Sequence, residues 1–188
     1  MSRWAPPLLT NDAINHFEAR WFPDGKRIVF SGNEPGHGVQ LYVQDLVGGK
    51  PQAFTPEGIV TLGVSIAYPV SPDGKLVAAI GPDQRGYLYP VEGGGEPRAI
   101  PGFAAGDTPT AWSADGRSLY VYRYGEFPAQ IYRLELATGQ KKLWKQLMPS
   151  DPAGVNIVFP ILVTPDGKSY VYGYRRILSD LYLVEGLK

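Results

Sequence analysis

Ser71-Pro72-Asp73-Gly74-Lys75 is one of four copies of the same phrase. The others are Phe22-Pro23-Asp24-Gly25-Lys26, Ser113-Ala114-Asp115-Gly116-Arg117 and Thr164-Pro165-Asp166-Gly167-Lys168. Successive glycines stand roughly 49, 42 and 51 residues apart, a period at which recurring sequence means a propeller, a solenoid or an array. In each copy Pro presets the first corner of a turn, Asp bonds back to nearby amides, and Gly takes the positive φ that other residues resist. A strand-like run precedes each phrase: 17–22, 65–71, 109–113 and 159–164. A β-branched or aromatic run follows each: 27–31, 76–80, 118–124 and 169–174. Two such runs around Asp-Gly predict a β-hairpin that opens every repeat.

Outward from the hairpins, each repeat has a third and a fourth strand to offer. Third strands are expected at 39–46, 87–91, 130–136 and 180–184, and short fourth strands at Phe54, around Pro97-Arg98-Ala99-Ile100 and through Leu143-Trp144. Pro90 weakens its own strand, because proline donates nothing to a ladder. The last repeat ends at Lys188 without a fourth strand, whereas Trp4 to Thr10 read as a fourth strand with no repeat before it. The two ends can therefore pair within one unit and remove exposed edges. Runs such as Leu76-Val77-Ala78-Ala79-Ile80 and Tyr120-Val121-Tyr122 are apolar on both faces, as sheets stacked between two other sheets require. The expectation is an all-β propeller of four blades, each of four antiparallel strands, over approximately 15–55, 64–101, 108–147 and 157–188, with 4–10 completing the last or a preceding blade.

Composition agrees. The 188 residues are 44% apolar, enough for a sizeable core, and 23 glycines and 18 prolines punctuate the whole length. Eighteen basic residues balance eighteen acidic ones, so no charge footprint points to nucleic acid or an anionic membrane. The absence of cysteine excludes a disulfide framework, a thiol nucleophile and a Cys-based zinc site. The opening residues lack a signal-peptide core and no run reaches membrane-spanning length, so the chain as encoded is expected in the cytoplasm. A longer, membrane-anchored parent chain would instead place it outside.

The arrangement of Pro-Asp-Gly-Lys, a strand, Leu41-Tyr42-Val43-Gln44-Asp45-Leu46-Val47-Gly48-Gly49-Lys50-Pro51 and then Phe54-Thr55-Pro56-Glu57-Gly58 resembles the WD-repeat-like, TolB-type propeller family over essentially the whole chain. The stretch from Tyr174 to Lys188 resembles the C-terminal end of sensor propellers fused to bacterial, notably acidobacterial, serine/threonine protein kinases. That resemblance implies a kinase domain and usually a membrane segment upstream. Propellers of this type usually carry six to eight blades, so four blades imply a small closed ring, a homodimer completing an eight-bladed ring, or the C-terminal half of a longer product. The last is the resemblance's preferred implication.

Chemistry is sparse. Gly93-Gly94-Gly95-Glu96 is a dense glycine run but has no helix to follow it, so it reads as a turn and not as a phosphate loop. No kinase motif is present. Gly63-Val64-Ser65-Ile66-Ala67 lacks the second glycine of a nucleophile elbow and precedes a strand. His16 reads as capping the start of a strand, and His37 lies in a glycine-flanked loop. Asp24, Asp73, Asp115 and Asp166 offer one carboxylate per turn, whereas calcium gathers six to eight oxygens; they and Gly25, Gly74, Gly116 and Gly167 are read as structural. Trp21 and Trp112 hold matching places before their turns and are assigned to packing between blades. No metal or cofactor is expected, and no catalysis. The binding candidates sit in the loops after each second strand: His37, Arg85, Arg123, Tyr124, Phe127, Tyr174, Arg175 and Arg176. Arginine beside aromatic rings is the composition of interaction hot spots. The expected role is a non-catalytic sensor or binding module for a protein, a peptide or a small ligand. The alternatives are the propeller of a prolyl-oligopeptidase-type serine peptidase without its hydrolase domain, and a TolB-like envelope scaffold.

Overall fold

The computed structural model describes residues 12–59, 69–92 and 95–179. These residues contain thirteen β-strands and no helix. Sheet 1 is β1 (Asn15–Trp21), β2 (Arg27–Asn33), β3 (Gln40–Asp45) and β4 (Gln52–Ala53) in sequential order, and sheet 2 is β5 (Leu76–Ile80), β6 (Gly86–Pro90) and β7 (Arg98–Ala99). Sheet 3 is β8 (Asp107–Trp112), β9 (Ser118–Arg123), β10 (Ala129–Glu135) and β11 (Lys141–Leu147), while β12 (Val155–Val163) and β13 (Tyr170–Arg176) make sheet 4. Every pairing is antiparallel. An isolated bridge between Val70 and Val77 marks the place of a first strand in sheet 2. The all-β, antiparallel expectation is met. The strands expected at 4–10 and 180–184, most of the run 65–71, and the Gly63 to Ala67 stretch lie outside the described residues, as do two of the three glycines at 93–95.

The four turns share one construction. Gly25, Gly74, Gly116 and Gly167 have φ of 66°, 72°, 67° and 64°, the left-handed region that glycine enters without steric cost. The Asp73, Asp115 and Asp166 carboxylates each accept the hydroxyl of the residue two before them, at 2.5–2.6 Å, and the amide two after them. Those hydroxyls, on Ser71, Ser113 and Thr164, also accept the amide five residues on, at 2.9–3.0 Å. Phe22 has no hydroxyl, and Asp24 binds the Arg27 guanidinium at 2.9 Å instead.

Between sheets the side chains alternate by face. Val29 and Leu41 of sheet 1 pack on Val77, Ala79 and Tyr89 of sheet 2. Ala78 and Leu88, on the other face of sheet 2, pack on Leu119, Val121 and Leu134 of sheet 3. The remaining face of sheet 3, with Tyr120, Tyr122 and Ile131, meets Val158, Ile161 and Val163 of sheet 4. The double-sided apolar runs of the sequence are thus buried on both sides. Burial pushes the Tyr89 and Tyr122 phenols up to about 12, so both stay neutral within these layers.

Two joints between sheets are hydrogen-bonded. The Trp112 indole N–H donates to the Pro69 carbonyl across sheets 2 and 3 at 2.8 Å. The Ala114 amide donates to the Pro165 carbonyl across the turns of sheets 3 and 4 at 2.8 Å. The other three copies carry proline where Ala114 stands and have no such donor. Trp21 departs from its expected packing role: it is 62% exposed, whereas Trp112 is 4% exposed, because no described sheet covers the side of sheet 1 on which it projects. His16 also departs from a simple cap. It lies inside β1, its ring stacked on Phe30 with centroids 4.3 Å apart and its Nε2 2.8 Å from Asp12.

Candidate functional site

Antiparallel pairing places the four Asp-Gly turns at one end of the sheets and the loops that leave β2, β5, β9 and β13 at the other. His37 is tied down in the first of these loops: its Nδ1 is 2.9 Å from Glu57 Oε1, and the Gly38 amide donates to Glu57 Oε2 at 2.9 Å. The Gly38 amide, and then His37, hold the Glu57 carboxyl below its ordinary range. Asn33 closes the loop by donating to the carbonyls of Glu34 and His37 at 3.1 Å. These bonds fix the glycine-flanked loop that holds His37.

Arg85 extends into solvent with its Nε 3.8 Å from Asp83, which also accepts the Tyr87 hydroxyl at 2.7 Å. Arg123 lies 3.3 Å from Glu126 and 3.7 Å from Asp107. Tyr124 meets Phe159 edge-on at 5.6 Å, and Phe127 packs on the core between sheets 3 and 4. Tyr174 is exposed, with the Arg176 guanidinium 5.8 Å from its ring centroid. Arg176 binds the Asp151 carboxylate at 2.9 Å and also donates to the Asp151 carbonyl. Arg175 donates to Asn156 at 3.2 Å. Tyr174 and Arg176 thus stand together and Tyr124 and Phe127 share one aromatic surround, whereas His37, Arg85, Arg123 and Arg175 bond within their own sheets.

Asp107 was not singled out by the sequence. Its side chain is buried and accepts the Ala104 amide at 2.7 Å and the Lys141 ammonium, with Arg123 behind. Nothing in the repeat points to it, because the other copies have no counterpart and Lys141 is 34 residues away.

The arrangement neutralises three of its arginines. Arg85, Arg123 and Arg176 each have a carboxylate of this chain at hand, whereas Arg175 bonds the Asn156 amide oxygen, so the loop end presents oriented guanidinium and aromatic groups. At the turn end, a cavity of about 430 Å³ is lined by Trp21, Pro23, Pro69, Val70, Pro72, Trp112 and Leu162, among others. Two polar groups of that wall are already used: the Trp112 indole N–H by Pro69 and the Thr110 hydroxyl by the Ile161 carbonyl. Among the described residues, no helix is long and apolar enough to cross a membrane.

The sequence matches no family profile, and no curated protein matches it. Solved structures do match. TolB from Acinetobacter baumannii superposes with a TM-score of 0.58 at 18% identity, over 88% of this chain and 44% of TolB. An oligogalacturonate lyase from Vibrio parahaemolyticus gives 0.57 at 16% identity, over 90% of this chain and 49% of the lyase. A prolyl endopeptidase gives 0.54 at 18% identity, over 87% of this chain and 26% of the enzyme. The chain therefore has a TolB-type β-propeller fold and spans half or less of the length of these three proteins. At such identities the likeness is one of fold, which hosts different activities.

Proposed function

We propose that the chain is a non-catalytic recognition module that binds a protein or peptide through its loop end. The observation that carries this reading is the pairing of Arg85, Arg123 and Arg176 with acidic groups of their own sheets, Arg176 lying beside exposed Tyr174. Paired arginines are fixed in direction and retain unused N–H donors, and tyrosine and arginine dominate interaction hot spots. Their neutralised charge favours a ligand of mixed polar and apolar character over a phosphate or a nucleic acid. The resemblance of the last residues to kinase-fused sensor propellers supports placing this module at the C-terminal part of a larger signalling protein, with four repeats belonging to the ring.

The test is selection of a displayed random-peptide library on the 188-residue chain. Enriched peptides are expected to lose about tenfold or more in affinity, equivalent to ~1.4 kcal/mol, for Arg176→Ala and for Tyr174→Ala, each at unchanged melting temperature. Peptides that bind both variants as tightly as the parent, or a library that yields no binder, would refute the assignment.

A further inference from the structure

The joint between sheets 2 and 3 is a template for what sheets 1 and 4 leave open. Trp112, three residues before Asp115, shares a buried cluster with Ala78 and donates its indole N–H to the Pro69 carbonyl. Ala78 and Pro69 stand five residues after and four before Asp73. At the same offsets from Asp24 and Asp166 stand Trp21, Val171 and Leu162. These three are 62%, 60% and 43% exposed. Sheet 1 therefore carries the projecting half of the joint and sheet 4 the receiving half, and both halves are uncovered. Trp21 and Leu162 border the same turn-end cavity, and each remains open to solvent.

We infer that two copies of the chain complete each other at this joint: Trp21 of each packs on the partner's Leu162 and the partner's Val171 and donates its indole N–H to the carbonyl of the partner's Leu162. That carbonyl can take the bond, since a backbone oxygen has two lone pairs and the equivalent Pro69 oxygen accepts both the Ala78 amide and the Trp112 indole. A two-fold axis relates the copies, so one pairing mode forms twice and the surface closes on itself. The order of sheets becomes 1-2-3-4 followed by 1-2-3-4 of the partner. Length agrees, because one chain covers 44% of TolB and 49% of the lyase, both of which share its fold.

Light scattering on the purified chain is expected to give twice the 20.6 kDa of one copy. Trp21→Glu and Val171→Glu, introduced separately and checked for retained β-structure by circular dichroism, should each give the single-chain mass, and Arg85→Ala should not. Because the chain has no cysteine, cross-linking can be made specific. Trp21→Cys chains mixed with Leu162→Cys chains should form a disulfide-linked pair on mild oxidation. A single-chain mass for the parent protein would overturn the inference. So would a double variant that forms only an internal disulfide, since that result would close the ring within one chain.

Discussion

At the turn end, Asp73, Asp115 and Asp166 accept the same hydroxyl and the same amide in each repeat, with distances that agree to within a few tenths of an ångström. At the loop end no two loops are alike: one is closed by Glu57 on His37, one by Asp83 on Tyr87, one by the Asp107 cluster, and one by Asp151 on Arg176. The same strands supply both ends. Uniformity at the turns follows from their task, since every hairpin must reverse with the same twist to present its faces to the next sheet. Freedom at the loops follows from the absence of that task.

The sharpest way to break this comparison is to remove Trp112, which joins two sheets at the turn end. Trp112→Ala should cost about 3–5 kcal/mol, read as a lower urea midpoint. Gly74→Val comes next. A Cβ there would meet the Arg27 guanidinium at 3.4 Å and the Phe22 ring at 3.7 Å, ordinary contact distances, which leaves the φ of 72° as the obstacle, and forcing a β-branched residue there should cost about 1–2 kcal/mol. Acid should then separate the two ends further. In the turns, the neighbouring hydroxyl and then a backbone amide hold Asp73, Asp115 and Asp166 below the ordinary value of 3.8. A carboxyl depressed in the folded state stabilises above its unfolded value and loses that contribution as pH falls through the lower, folded value. Unfolding monitored below about pH 4 should therefore be shallower for the triple variant Asp73→Asn, Asp115→Asn, Asp166→Asn than for the parent. The smallest effect belongs to the loop end: Arg123→Ala should change stability by no more than about 0.5 kcal/mol, because Lys141 still serves Asp107. A loss comparable to that of Gly74→Val would make the loop end structural and erase the contrast.

What the sequence could disclose depended on repetition. Leu76 to Ile80 was bounded by Gly74-Lys75 and Gly81-Pro82 and forms a strand with those limits. The hairpins around Gly25, Gly116 and Gly167 were legible for the same reason. Strands β1 and β8 begin earlier than the hydrophobic runs suggest, at Asn15 and Asp107, because ladder bonds continue into polar residues that pattern reading discards, and β12 begins at Val155, four residues ahead of the expected 159. Trp21 and Trp112 look equivalent in sequence, and they are equivalent in position. Their burial differs because it is decided by a neighbouring sheet, which no local pattern encodes. Asp107 was illegible because its partners come from β9 and β11 as well as its own approach loop.

The alanine at position 114 gives the molecule an internal clock. Its amide hydrogen is held by Pro165 of the next sheet, and it can exchange with solvent deuterium only when sheets 3 and 4 part at their turns. At the corresponding positions of the other repeats there is proline and hence no hydrogen to exchange. One resolved amide therefore times the opening of one chosen seam, against which the rate of any other movement between the sheets can be set.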